Sequence, residues 1–316
     1  MFGRRAERSA GGPVDLSVRV GQTALPNPVM CASGTAGHGS ELAPYVDLGS
    51  LGAVVVKSLS AGPWAGNPAP RVTETPAGMI NSVGLQGPGV AAWLTDELPD
   101  LVATGARVVA SIWGRSTEDY AAAAAALAHA PAEVVAVEVN LSCPNLGGGH
   151  TMFAHDPDAA AEVIGAAGIA GRPLWAKLSP NTDRLVAVAA AVADAGADAV
   201  TLVNTVMGMV IDVETRRPYL GGGGGGLSGP AMHPVAVRAV YDCRSALPDL
   251  PIVGVGGIAS GTDAIELILA GANAVQVGTA SFADPGASGR ILSEVEAWCG
   301  GHGVTSLATL CGGAHG

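Results

Sequence analysis

Aromatic and charged residues are both scarce in this sequence of 316 residues. Aromatic residues make up 4% of the chain and charged residues 14%, against roughly 25% charged residues in a typical globular domain. Because 48% of the residues are hydrophobic, the scarcity of charge excludes disorder over most of the chain. The core must be built from alanine, valine, leucine and isoleucine. A chain of this length forms either two ordinary domains or one α/β barrel.

Basic residues are outnumbered by acidic ones, with 16 Lys and Arg against 27 Asp and Glu and a formal net charge of −11. Such an acidic chain is a poor ligand for polyanions, so we expect no nucleic-acid partner and no membrane partner. No apolar run of 18 uncharged residues is present either. The longest candidate, residues 185–203, contains Asp194 and Asp198, which excludes it as a membrane span.

The cysteines are few, and no two of them form a Cys-x-x-Cys pair: they are Cys31, Cys143, Cys243, Cys299 and Cys311. This spacing excludes a zinc ribbon and an iron–sulfur cluster held by this chain, and we predict no metal site. The odd number predicts reduced thiols and a cytoplasmic location. Residues 1–12 contain arginines with no apolar segment after them, so we predict a disordered tail there rather than a secretory signal. Residues 13–316 are predicted to form one domain.

Eight short apolar runs alternate with alanine-rich segments along the chain. Continuously apolar runs are typical of parallel strands buried on both faces. We predict strands at residues 29–32, 53–56, 108–112, 135–139, 174–176, 199–203, 251–254 and 274–277, with helix caps at Ser116, Ser179 and Thr262. Eight such strands joined by helices predict an α/β fold of the (β/α)8 TIM barrel type, with a doubly wound open sheet as the alternative.

Two segments interrupt this alternation. Residues 60–88 are rich in proline and glycine and are predicted to form a long loop. Residues 206–230 are a glycine-rich insertion that contains six consecutive glycines at 221–226. Because glycine loses the most backbone entropy on folding, we expect no stable element there, and either a flexible surface loop or the hinge of a cover over the barrel mouth.

Polar side chains follow several predicted strands at the end where barrel enzymes place their active sites. Lys57 and Lys177 each come directly after an apolar strand. A single lysine at such a rim often places its charge in solvent, but two in an acidic chain favour an anionic ligand. Glycines 256, 257 and 278 follow the last two strands, where barrels frequently bind a phosphate through backbone N–H groups.

Cys143 lies on the loop after the fourth predicted strand, among the polar residues Asn140, Ser142 and Asn145. A cysteine is most often a small buried hydrophobic residue, but this polar setting favours a reactive thiol. The sequence has no Gly-x-Ser-x-Gly motif, so a serine hydrolase has little support.

These segments, taken in order, resemble the class 1 dihydroorotate dehydrogenase family. The matching segments are residues 54–58, 81–85, 140–145, 176–181, 203–205, 227–230, 256–257 and 278–284. Residues 148–157 and 212–216 resemble the 1B form, in which a partner subunit carries FAD and a [2Fe–2S] cluster and passes electrons to NAD⁺. The resemblance therefore implies one FMN in this chain, a homodimer, and a heterotetramer with that partner.

The resemblance also implies an activity and a set of site residues. The activity is oxidation of (S)-dihydroorotate to orotate in pyrimidine (UMP) biosynthesis, with Cys143 taking the C5 proton and FMN the C6 hydride. The FMN contacts are Ser33, Lys57, Ser58, Ser111, Asn140, Lys177, Val203, Gly229, Gly256, Gly257, Gly278 and Thr279. The substrate contacts are Lys57, Asn81, Gly84, Leu85, Asn140, Asn145, Asn204 and Thr205. Ser111 departs from the family, which usually has asparagine there.

Several alternatives remain open on the sequence alone. The nearest are a homodimeric 1A enzyme that uses fumarate and a dihydropyrimidine dehydrogenase-like enzyme acting on uracil-type rings. A flavin-free barrel lyase is a more distant possibility, with Lys57 or Lys177 as a Schiff-base amine. A non-catalytic subunit that only binds FMN or a pyrimidine is the last.

Overall fold

The computed structural model describes residues 14–142 and 152–316. Eight parallel strands close into a barrel: β1 (Val29–Cys31), β2 (Ala53–Val55), β3 (Val108–Ile112), β4 (Val134–Asn140), β5 (Leu174–Lys177), β6 (Ala199–Leu202), β7 (Ile252–Val255) and β8 (Ala274–Val277). Neighbours around the barrel follow chain order, and β8 pairs with β1. The predicted (β/α)8 barrel is confirmed, with every strand end within one residue of its prediction, and the open sheet is excluded.

Nine α-helices are found in the described residues. They are α1 (Val90–Asp96), α2 (Leu98–Ala103), α3 (Thr117–Leu127), α4 (Pro157–Ala167), α5 (Leu185–Asp194), α6 (His233–Ala246), α7 (Gly261–Ala270), α8 (Ala280–Ala283) and α9 (Ala287–Gly301). Short 3-10 turns occur at Leu48–Ser50, Phe153–His155, Gly168–Ala170, Pro230–Met232, Leu307–Leu310 and Gly313–His315. None of the helices in the described ranges has the length and apolar character needed to span a membrane.

The predicted caps were correct at one helix and wrong at two. The Ser116 hydroxyl accepts from the Asp119 N–H at the start of α3. The cap of α7 is Ser260 rather than Thr262, because Ser260 and Asp263 form a reciprocal capping box. Ser179 begins no helix, since its hydroxyl accepts from the Asn181 N–H in a local turn.

A four-stranded antiparallel sheet lies outside the barrel, and we call it the mouth sheet. Its strands, in spatial order, are Val206–Gly208, Gly225–Ser228, Gly78–Asn81 and Val72–Thr75. Two further pairs of short strands are Val18–Val20 with Thr23–Leu25 and Ile211–Asp212 with Arg217–Pro218. The prediction of one long loop over residues 60–88 was therefore wrong, because a hairpin forms within it.

The expectation that the six glycines form no stable element was also wrong. Gly225 and Gly226 belong to a strand of the mouth sheet: Gly225 pairs with Gly208, and Gly226 pairs with Met207 on one side and Asn81 on the other. A Cβ on Gly225 would lie 2.5 Å from the Asn81 carbonyl oxygen, and a Cβ on Gly226 would overlap the Thr205 hydroxyl. Glycine is present here because the backbones of neighbouring strands approach each other closely. The sheet contacts stabilise a segment that is flexible in isolation.

Candidate active site

One cavity of about 380 Å³ lies at the carboxyl ends of the barrel strands, beside the mouth sheet. Most of the predicted site residues line it, although they come from distant parts of the chain. They are Ser33, Lys57, Ser58, Asn81, Gly84, Leu85, Asn140, Lys177, Val203, Asn204, Thr205, Gly229, Gly256, Gly257, Gly278 and Thr279. The barrel topology brings these positions together because all parallel strands end on the same face.

Three predicted site residues stand apart from this set. Cys143 and Asn145 lie outside the described residues. Ser111 is fully buried behind the wall, and its hydroxyl pairs with that of Ser58 at 2.8 Å. The structure also brings Asn67 and Met207 to the cavity. Neither lies at the end of a barrel strand, so the rule that barrel ligands bind at strand ends did not predict them.

Asn140 forms hydrogen bonds with cavity-wall residues that follow two different barrel strands. Its side-chain nitrogen donates to the Ser58 hydroxyl at 3.2 Å, and its side-chain oxygen accepts from the Asn204 amide at 3.2 Å. The same oxygen accepts from the backbone N–H of Ser142 at 3.2 Å, and the Tyr120 hydroxyl donates to the Asn140 carbonyl at 2.6 Å. The amide groups in the wall therefore have defined orientations, as recognition of a ring with N–H and C=O groups requires.

Lys177 belongs to a buried network inside the barrel. Its Nζ lies 3.6 Å from Oε1 of Glu138, a carboxylate with no exposed surface. The other oxygen of Glu138 accepts from the Thr201 hydroxyl at 3.0 Å and from the Gln276 amide at 2.7 Å. Four different strands thus supply one compensated charge cluster. Lys177 was predicted from the sequence but Glu138 was not, although a charged residue within an apolar strand was the available signal.

Lys57 has different surroundings. It forms no ion pair with the described residues. Burial lowers the pKa of the Lys57 ammonium group from its ordinary value of 10.5, and the nearby positive charge of Arg71 lowers it further. A partly buried cation without an internal counterion is suited to bind an anionic ligand in the cavity.

The segment that carries Gly84 and Leu85 is held close to the cavity by hydrogen bonds. Leu85 has φ +60°, a left-handed conformation that costs about 1 kcal/mol in a residue other than glycine. The Trp64 indole donates to the Gly84 carbonyl at 3.0 Å, and Arg71 donates to the Asn67 and Ala65 carbonyls. These contacts keep a strained turn against the cavity, which is typical of a ligand contact.

The sequence model of the dihydroorotate dehydrogenase family matches residues 15–298. The chain belongs to the dihydroorotate dehydrogenase family. A curated relative from Geobacter sp. (strain M21) is 48% identical over 299 residues, which cover 94% of this chain and 97% of the relative. One from Desulforudis audaxviator (strain MP104C) is 48% identical over 303 residues, covering 96% and 98%. Each is named dihydroorotate dehydrogenase B (NAD(+)), catalytic subunit. The resemblance to class 1 dihydroorotate dehydrogenases is confirmed, and the chain is an oxidoreductase.

The dihydroorotate dehydrogenase family is flavin-dependent, and the donors around the cavity fit a flavin mononucleotide. At one end, Gly256 and Gly257 bring backbone N–H groups to the wall, and neither N–H donates to a backbone carbonyl of the described residues. Gly257 has φ +69°, a conformation that favours glycine. Farther in, Lys177 offers a cation, the kind of group that would stabilise the negative charge of a reduced flavin ring. Phosphate and ring would thus each meet matching groups.

Proposed function

We propose that this chain oxidises dihydroorotate to orotate with bound FMN. The observation that carries the proposal is the cavity at which residues from most barrel strands meet the mouth sheet. FMN would be held by Ser33, Lys57, Ser58, Asn140, Lys177, Val203, Gly229, Gly256, Gly257, Gly278 and Thr279. Ser111 would act through the Ser58 hydroxyl rather than by direct contact, since it lies behind the wall.

The reaction removes a proton from C5 and a hydride from C6 of the dihydropyrimidine ring. When bound, FMN supplies the hydride acceptor. Cys143 is the proposed base for the C5 proton, on the sequence argument alone. A thiolate serves this purpose when it is held close to the carbon and protected from water.

The substrate would lie between Lys57 and the amide groups of the wall. We assign the carboxylate of dihydroorotate to Lys57, because this cation has no counterion among the described residues. Asn81, Asn140 and Asn204 line the same space and both donate and accept hydrogen bonds. The remaining proposed substrate contacts are Gly84, Leu85, Asn145 and Thr205.

The electron acceptor is proposed to be NAD⁺, reached through a second subunit that carries FAD and a [2Fe–2S] cluster. The curated relatives support this, since they are named as NAD(+)-linked catalytic subunits. We further propose a homodimer of this chain at the centre of the complex. The four described cysteines are all unpaired, which supports a reducing compartment, and we propose the cytoplasm.

The proposal is tested by an anaerobic visible spectrum of the purified chain before and after addition of dihydroorotate. We expect a yellow protein that bleaches, because bound FMN is then reduced by the substrate. Dihydrouracil, which lacks the carboxylate, should bleach it at least a hundredfold more slowly. A yellow protein bleached equally well by dihydrouracil would point to a uracil-type substrate, and a protein that cannot be loaded with FMN would refute the proposal.

The assignment of the base has its own test. Cys143→Ala should keep FMN but bleach at least a thousandfold more slowly, because nothing then takes the C5 proton. Cys143→Ser is the matched control, and it should retain slow bleaching that accelerates as the pH rises. Bleaching of the alanine variant at the wild-type rate would remove Cys143 from the mechanism.

A further inference from the structure

His233 is the first residue of α6 and lies directly behind the glycines at one end of the cavity. Its side chain is 12% exposed. Nδ1 lies 2.9 Å from the carbonyl oxygen of Gly256, and Nε2 lies 3.0 Å from Oε2 of Glu266. A carbonyl and a carboxylate can only accept hydrogen bonds. Nδ1 therefore donates to the Gly256 carbonyl, and Nε2 faces the Glu266 carboxylate.

The bond from His233 sets the orientation of the peptide between Gly256 and Gly257. In a trans peptide the C=O and the following N–H point in opposite directions. Because the Gly256 carbonyl points to the histidine, the Gly257 N–H points away from it. Gly257 lines the cavity and His233 does not, within the described residues. The N–H that the histidine orients is thus available to a ligand in the cavity.

Packing prevents this peptide from turning over. A Cβ on Gly257 would lie 2.7 Å from the Cβ of His233, and a Cβ on Gly256 would lie 2.7 Å from that of Ala236. The two glycines therefore rest directly on the first turns of α6. The hydrogen bond from His233 is the polar contact where the backbone of the glycine loop packs closely against α6.

The acidic groups near His233 are Glu266 and Asp263, and the ligand atoms of the three residues lie within 4.8 Å of one another. Asp263 is already committed to the start of α7, where its carboxylate accepts from the Ala259 and Ser260 N–H groups and the Ser260 hydroxyl. Both nitrogens of His233 are also used. The cluster is a hydrogen-bonded support for the glycine loop.

We propose that His233 is a positioning residue for the phosphate of the flavin, and that it gives the chain its preference for FMN over riboflavin. This inference rests on the proposed flavin function. The hydrogen bond from Nδ1 to the Gly256 carbonyl holds the Gly256–Gly257 peptide so that its N–H faces the phosphate. Riboflavin has the same ring system but no phosphate, so it does not benefit from this positioning.

The experiment measures binding of FMN and of riboflavin to the flavin-free chain by quenching of flavin fluorescence. Compared with the wild type, His233→Ala should weaken FMN about tenfold, which is the loss of one charge-assisted contribution. Riboflavin affinity should change less than twofold. His233→Asn keeps a donor close to the position of Nδ1 and should recover part of the FMN affinity. His302→Gln, at the exposed end of α9, is the control and should bind both flavins normally.

The two ligands separate the possible outcomes. Equal weakening of FMN and riboflavin would show that His233 only supports the fold, and unchanged FMN affinity in both variants would exclude any role in phosphate binding. Either result overturns the inference while leaving FMN binding by the wild type intact. If the wild-type chain binds neither flavin, the proposed function itself fails. Should His233→Ala not fold, the comparison of the two ligands is made with His233→Asn.

Discussion

Both lysines of the cavity lie at the carboxyl ends of barrel strands, but their electrostatic surroundings differ. Lys177 faces the barrel interior, where Glu138 balances its charge within the protein. Lys57 faces the mouth sheet side without an ion pair among the described residues, and its pKa is lowered by burial and by Arg71. A compensated lysine is a permanent part of the structure. An uncompensated one is suited to a charge that arrives with the ligand.

The largest expected effect comes from removing the counterion of Lys177. Glu138→Gln keeps groups that can pair with Thr201 and Gln276 but leaves a buried cation unbalanced. We expect a loss of about 3 kcal/mol in the free energy of unfolding, measured in urea. The double variant Glu138→Gln, Lys177→Met should recover most of that loss. If the double variant is as unstable as the single one, the two charges are not coupled.

Removing the charge of Lys57 should act on the ligand instead. In flavin-loaded protein, Lys57→Met should weaken orotate about a hundredfold, because a charge-assisted contact to the carboxylate is lost. Stability should change little, since no internal partner is left unpaired. Lys57→Arg keeps the charge and should retain more of the affinity. Titration of the flavin absorbance with orotate provides the measurement, and equal affinity in the methionine variant would contradict the assignment.

The pH dependence of orotate binding is a second test of whether the charge of Lys57 acts on the ligand. A lowered pKa means that Lys57 loses its proton, and with it its charge, at a pH below its ordinary 10.5. Orotate affinity should therefore begin to fall below that pH and then decrease by up to about tenfold per pH unit. In Lys57→Arg the decline should move to higher pH, because arginine stays charged. An identical profile for both proteins would show that another group controls binding.

The smallest effect is expected from the glycines beside the substrate end. Gly226→Ala places a methyl group against the Thr205 hydroxyl and should cost about 1 kcal/mol of stability, with orotate weakened several-fold. The matched control is Gly224→Ala, whose Cβ would lie 3.4 Å from the nearest atom, the Gly208 carbonyl oxygen. Unfolding and orotate titrations on both variants provide the comparison. Equal behaviour would mean that close packing does not explain the glycine run.

The sequence was most informative where local pattern and topology coincide. Continuously apolar runs predicted the eight strands, and the rule that barrel ligands bind at the carboxyl ends of strands then predicted which residues meet in the cavity. The mouth sheet could not be predicted in this way. Its strands are short, rich in glycine and paired across distant parts of the chain, so composition favoured a loop. Similarly, the partners of Glu138 lie on three other strands and those of His233 on a loop and another helix, and no local pattern encodes these contacts.

The mouth sheet has a consequence for how the chain folds. The Asn81 side chain donates to the carbonyl of Gly226, a residue 145 positions away, and the strands on which they lie are adjacent. Contacts of such sequence separation form only after a large loop has closed, and glycine contributes little local preference to bring them about. We therefore expect barrel strands that are neighbours along the chain to gain protection from hydrogen exchange before residues 78–81 pair with residues 225–228, so that the substrate end is completed late.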